Sequence, residues 1–348
     1  MLRVATIVDS KRQNLLKAVK QRNTHTLALK KMDKIAHKFL HINGQKLHIA
    51  EIGSESSPAV IFLHGFPEIW YTWRHQMIAV ANAGFRAIAP DFRGYGLSDP
   101  PAEPEKASFD DFVNDIASIV DSLSISKVFV IAKDFGTMVA YPFVLRYPQK
   151  IAGIITLNMA FMPPAAFKSH PLPEGFYVTR WREPGRAEAD FSRFDVKTVV
   201  RNIYILFSQS EIPIANENEE IMDLVKPLTS LPSWLTEEDL AIYGDLYEKS
   251  GFRTALQIPY RSYMSLGYTD EVPKVEAPMM LILGEEDYAL KVPGMLEYVK
   301  SGEVKKYIPN IETRYVPRGC HFVHEQFPDE VNQLILTFLD ANKHLSKV

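Results

Sequence analysis

Short β-branched runs alternate with longer amphipathic stretches along most of this chain, and the alternation breaks once. Residues 46–52, 59–63, 86–90, 127–132 and 151–157 have the length and composition of strands, and 72–83, 109–123 and 135–147 between them carry helical periodicity. Strands alternating with helices imply a mostly parallel sheet covered on both faces. From about 159 to 270 the chain turns helical and rich in Pro, Glu, Trp and Tyr. Strand signals then resume at 279–283 and 312–316, before a helix over 329–339. A helical block between two halves of a sheet is expected to roof the carboxyl ends of the strands, where open α/β sheets bind ligands. The expected organisation is an N-terminal extension (1–31), a core first half (32–158), a helical cap (159–270) and a core second half (271–348).

Composition narrows the function classes. With 46% hydrophobic and 23% charged residues the chain can build a sizeable core. A net charge of −3 argues against a nucleic-acid partner held by a broad basic face. The single cysteine, Cys320, excludes an intramolecular disulfide and suits a reducing, cytoplasmic setting. No apolar run reaches the roughly 18 to 20 residues of a membrane span. Residues 1–31 hold eight Lys or Arg and one acid, Asp9, which leaves the remaining chain at −10. A basic, acid-poor leader fits an organelle transit segment, a solvated tail, or an upstream start with Met32 as the working one. Ser346-Lys347-Val348 approaches a peroxisomal address but misses its last residue. No His/Cys/Asp cluster has metal-ligand spacing, so neither a metal nor a cofactor is expected.

Three stretches carry chemistry. Val128-Phe-Val-Ile-Ala-Lys-Asp-Phe-Gly136, followed by a helical run, has the form of a nucleophile elbow centred on Asp134. The small residues Ala132 and Gly136 suit a strained turn pressed against its neighbours. Alone, the motif is equally a strand-to-helix turn with Asp134 as N-cap. Leu63-His-Gly-Phe-Pro-Glu-Ile-Trp-Tyr-Thr-Trp73 follows a strand where such folds place one oxyanion-hole amide. By position the two amides are those of Phe66 and Phe135, and a fixed bend such as a cis bond is expected at Pro67. Phe66 and Trp70 are candidates to line the substrate site. In Arg318-Gly-Cys-His-Phe-Val-His324, His321 is the base candidate and His324, expected on the opening turn of the last helix, its competitor. In Leu281-Ile-Leu-Gly-Glu-Glu-Asp-Tyr288, Asp287 is the acid candidate, with Glu285 and Glu286 as nearby alternatives that are equally readable as solvated loop charge. The order Asp134, Asp287, His321 is nucleophile, acid, histidine.

With these residues in place the chain resembles the plant-type soluble epoxide hydrolases of the α/β-hydrolase superfamily over roughly 32–345. The likeness includes His-Gly-Phe-Pro at 64–67, Asp91-Phe-Arg-Gly-Tyr-Gly-Leu-Ser-Asp99, the Asp134 elbow, and cap segments at 175–190 and 249–261. It implies an eight-stranded, mostly parallel sheet with an inserted helical cap. It also implies two cap tyrosines that polarise an epoxide oxygen, carried over onto Tyr177 and Tyr260. The Tyr260 match needs a one-residue insertion. Ala-Lys-Asp-Phe-Gly departs from the Gly-His-Asp-Trp-Gly more usual in the family, so Lys133 puts a cation beside the nucleophile.

The nucleophile constrains the substrate. Serine attack on an sp³ carbon would leave an ether, whereas aspartate attack leaves an ester that a histidine-activated water can cleave. That points to an epoxide or an alkyl halide. An opening epoxide needs a proton donor, which phenols supply. The dehalogenases this chain also resembles use an indole after the nucleophile and an amide side chain after the first His-Gly, or an arginine for haloacids. Here Phe135 and Phe66 stand at the first two positions, and Phe-Gly-Thr-Met occupies 135–138. The expected activity is therefore hydrolysis of apolar epoxides with water, in a monomer or homodimer. A haloalkane or haloacid dehalogenase is the near rival, and a non-catalytic ligand receptor on the same fold the distant one.

Overall fold

The computed structural model describes residues 32–162, 172–211, 213–262 and 274–346. The basic extension 1–31, the last two residues of the C-terminal tripeptide and the boundary expected at 270/271 lie outside them. The chain divides into two units, Met1–Ala36 and His37–Val348, and the site residues discussed below all belong to the second.

The first half runs β1 (Ala36–Ile42), β2 (Gln45–Ile52), β3 (Ala59–Leu63), α1 (Arg74–Asn82), β4 (Arg86–Pro90), α2 (Phe109–Ser122), β5 (Val128–Lys133), α3 (Gly136–Arg146) and β6 (Ile151–Leu157). A helical insert follows: α4 (Tyr177–Arg182), α5 (Arg186–Phe191), α6 (Val196–Phe207), α7 (Glu237–Ser250) and α8 (Arg253–Leu256), which leads into a π-helical turn, Gln257–Arg261. The second half is β7 (Met279–Gly284), α9 (Met295–Ser301), β8 (Ile311–Val316), a short α10 (Val323–Gln326) and α11 (Pro328–Asn342). Among the described residues no helix is long and apolar enough to cross a membrane.

The eight strands form one sheet in the order β1-β2-β4-β3-β5-β6-β7-β8. β2 pairs with β4 antiparallel, and every pairing from β4 through β3, β5, β6 and β7 to β8 is parallel. Every residue of β3 to β7 is buried. Covered faces are why these strands read as continuous apolar runs in the sequence. β1, Ala-His-Lys-Phe-Leu-His-Ile, was not anticipated as a strand. It is a largely exposed edge, and its polar residues hide the period-two signal. The parallel order brings the carboxyl ends of β3, β5, β6 and β7 to one rim, below the helical insert.

Candidate active site

β5 ends at Lys133 and α3 begins at Gly136, so Asp134 sits in the intervening turn with φ +50°. A left-handed residue other than glycine is uncommon and strained. The Thr137 hydroxyl and amide both donate to the Asp134 carbonyl, at 2.7 and 3.0 Å, and hold the turn. A Cβ at Gly136 would run into the Leu63 and His64 carbonyl oxygens at the end of β3, and one at Gly65 would strike the Asp134 side chain. These two glycines let the β3 loop close over the elbow. The Phe66 amide then donates to Asp134 Oδ1 at 3.0 Å, and the Phe135 amide also bonds the carboxylate. The Phe66–Pro67 peptide is cis. His64, first in the loop motif, is fully buried. It accepts from the Phe92 amide at 3.2 Å and reaches its own loop at the Gly65 carbonyl.

His321 stands beyond β8, and Asp287 beyond β7. The carboxylate oxygens of Asp287 lie 3.0 and 3.1 Å from His321 Nδ1, and one of them also accepts from the Ala289 amide at 2.9 Å. The other ring nitrogen, Nε2, faces Asp134 Oδ2 at 3.3 Å, close enough for ion pairing but without hydrogen-bond alignment. Glu285 and Glu286 are exposed, which separates them from the buried Asp287. Asn158, which sequence reasoning passed over, ties these loops together from the end of β6. Its amide nitrogen donates to the His321 carbonyl at 2.8 Å, and its oxygen accepts from the Gly284 amide at 2.8 Å. An asparagine in the first position after a buried strand was its only sequence signal.

Burial alone would raise the Asp134 carboxyl. The neighbouring imidazole, the Lys133 cation and the Phe135 amide reverse this and hold it below its ordinary value. Burial would lower His321, but the Asp287 charge and the contact with Asp134 outweigh burial and the Lys133 cation, pushing it up to about 9. A group raised on folding stabilises the fold fully below its unfolded value, about pH 6.5, and loses that contribution as pH rises through its folded value. The stability difference between wild type and His321→Gln should therefore shrink from pH 6.5 to about pH 9.5 in urea titrations. A constant difference would mean that the imidazole is already neutral in the folded protein.

Above the carboxylate lies an aromatic enclosure. Tyr177 opens α4, and Tyr260 sits on the π-helical turn, which Arg261 anchors to Glu188 of α5 through two 2.7 Å contacts. The two phenol rings are 6.1 Å apart, and Tyr260 lies 5.2 Å from Phe135 and 5.7 Å from Phe66. Among the described residues the buried Tyr260 hydroxyl has no hydrogen-bond partner. Desolvation, and then the charges around it including Asp134, keep that phenol protonated. The Phe66 ring also meets Trp181, Tyr247 and Phe252 of the insert. Trp70 is not brought into this group. Its ring lies against His37, His48 and Tyr71, because its amide is fastened to Asp91 at 2.8 Å on the β2–β4 side of the sheet.

Behind the nucleophile lies a buried polar layer. Lys133 Nζ is 3.0 Å from Glu68 Oε1, both side chains fully buried, and 4.7 Å from the Phe322 ring centre. Glu68 in turn accepts from the Gly65 amide at 3.0 Å. His324 belongs to this layer, on the separate turn α10 rather than the start of α11. Burial and the nearby Lys133 and Arg74 cations hold it neutral. Glu68, His324 and Glu325 form the one cluster of potential metal ligands among the described residues. Thr72 Oγ1 stands 2.7 to 3.2 Å from all three, and Lys133 and Arg74 supply the balancing charge. The donor set is thus already committed to internal partners.

Comparison with known proteins places this geometry. Residues 58–328 match the alpha/beta hydrolase fold family. Epoxide hydrolase 3 of Siraitia grosvenorii is 36% identical over 324 residues, covering 89% of this chain and 99% of the relative. An epoxide hydrolase from Vigna radiata superimposes with a TM-score of 0.82 at 32% identity, over 89% of this chain and 99% of that one. Potato (Solanum tuberosum) epoxide hydrolase I gives 0.79 at 31% identity, over 88% and 100%.

Proposed function

We infer the reaction from the premise that this chain belongs to the epoxide hydrolases of the α/β-hydrolase superfamily. The proposal is that it opens apolar epoxides, such as fatty-acid epoxides, to vicinal diols through an ester on Asp134. One observation carries the mechanism. Asp134 Oδ1 is held by the Phe66 amide and Oδ2 faces His321, while the Tyr260 ring, beside that of Tyr177, packs against Phe66 and Phe135, the residues whose amides hold the carboxylate. The aromatic enclosure around Phe66 supports an apolar substrate.

In the first step Asp134 Oδ2 attacks an oxirane carbon. The carbon–oxygen bond of the ring breaks, and its electron pair goes to the oxygen, which takes a proton from Tyr177 or Tyr260. The nucleophile needs no base, since its carboxyl is held below an already low ordinary value. Esterification removes the Asp134 charge, one of the influences that raise His321. The imidazole then passes its resting proton to the phenolate and becomes a neutral base when a base is needed. It takes a proton from water as that water attacks the ester carbonyl, and the Phe66 and Phe135 amides hold the resulting oxyanion. Asp287 fixes the imidazole tautomer throughout. Collapse of that oxyanion breaks the ester carbon–oxygen bond, the departing alkoxide takes the proton of the new carboxyl group, and His321 keeps the proton drawn from water, so the net change is epoxide plus water to diol.

A single turnover in ¹⁸O-water, with enzyme in excess over epoxide, tests this. The diol should emerge unlabelled, with ¹⁸O in the Asp134 carboxylate by peptide mass spectrometry. Label in the diol with none in Asp134 would mean direct attack by water and would end the covalent reading.

A further inference from the structure

Tyr288 follows Asp287 directly and opens the 3₁₀ turn Tyr288–Lys291, which the Asp287 side chain caps through the Ala289 amide. The sequence motif drew attention to the acid and left its neighbour without a role. In the fold Tyr288 is buried, with its hydroxyl oxygen 2.9 Å from that of Tyr177. Its ring lies 5.2 Å from His321 and 5.3 Å from Phe207. One turn thus carries the residue that orients the histidine and a phenol that touches the proposed acid.

We propose that Tyr288 is a positioning residue for ring opening, donating its hydroxyl proton to Tyr177 so that the Tyr177 proton points to the oxirane oxygen. This rests on the assignment of Tyr177 as an acid. Each phenol has one proton. If Tyr177 gave its proton to Tyr288 it would have none for the substrate, so the productive order is Tyr288 to Tyr177 to oxirane. When the ring opens, the oxirane carbon–oxygen bond breaks, the Tyr177 proton moves to that oxygen, and Tyr177 becomes a phenolate. The Tyr288 hydroxyl then donates to an anion instead of a neutral oxygen. A hydrogen bond that strengthens as charge develops accelerates the step. Tyr288 keeps its own proton, because desolvation, followed by the nearby Tyr177 and the Asp287 and Asp134 charges, opposes its ionisation.

The test is Tyr288→Phe, which removes the hydroxyl and keeps the ring, with Tyr177→Phe and the double variant alongside. Alkylation of Asp134 by styrene oxide is followed by rapid quench and mass spectrometry across pH. Tyr288→Phe should slow alkylation about ten- to a hundredfold. It should also move the basic limb of the alkylation profile to higher pH, since Tyr177 loses a partner that stabilises its ionised form. In the Tyr177→Phe background the same change should have little further effect. A ring that merely packs would leave the basic limb in place, and a general loosening of the site would multiply the two losses. Either result overturns the proposal while leaving Tyr177 as an acid. If Tyr177→Phe alkylates as fast as wild type, the acid assignment falls, and this proposal with it.

Discussion

A His321→Ala variant should consume one epoxide per protein molecule and then stall. Asp134 keeps its Phe66 and Phe135 amides and the nearby Lys133 cation, which hold it in place and favour the ionised carboxylate that attacks. Without the imidazole the proposed base for the water that clears the ester is gone. Turnover should fall on the order of 10² to 10⁴. Intact-protein mass should rise by the mass of one epoxide, with the adduct on the peptide containing Asp134. Loss of turnover with no adduct would put His321 in the bond-forming step and contradict the proposed division of labour.

The second large effect concerns Lys133. Its ammonium and the Glu68 carboxylate are buried together at 3.0 Å. Lys133→Met removes one charge and leaves the other in a dry site, which costs about 3–5 kcal/mol of folding stability. Glu68→Gln in the same chain removes the stranded charge and should restore most of that loss. Because Glu68 also receives the Gly65 amide, the single variant should loosen the loop that presents the Phe66 amide, lowering turnover along with stability. Urea unfolding of the two single variants and the double variant measures the coupling. Equal stability of Lys133→Met and wild type would show that Glu68 is not charged in the folded protein.

Strand and helix periodicity locate most of the sheet in the sequence, because buried strands are apolar throughout and surface helices keep a polar face. The same rule passes over β1, whose exposed residues leave no apolar run. At the site, Asp134, Asp287 and His321 were legible because each follows a strand end within a short motif, and the fold brings those ends to one rim. Trp70 looked like a lining residue because it neighbours Phe66 in the sequence. The hold of Asp91 on its amide keeps it against His37, His48 and Tyr71 instead. Tyr288 was hidden for the opposite reason. Its partner Tyr177 is 111 residues away, and nothing local announces that two hydroxyls will meet. The partnership of Lys133 with Glu68 is likewise a contact between separate strand ends, so the sequence marked the cation as unusual but not its counter-charge.

The layer behind the nucleophile also fastens the helical insert to the core. Helix α7 of the insert is fastened to the core by Asp239, 3.1 Å from the Arg74 guanidinium and 2.9 Å from the Tyr71 hydroxyl, and by Tyr243 on Glu325. Arg74 is shared with Glu325 at 2.5 Å. Lifting α7 off α1 and α10 would break the Asp239–Arg74 ion pair and strip Glu325 of the Tyr243 hydroxyl, leaving the Arg74–Glu325 pair behind in the core. The roof is riveted along that side, and α7 is the part of the insert tied most firmly to the buried charges behind the nucleophile.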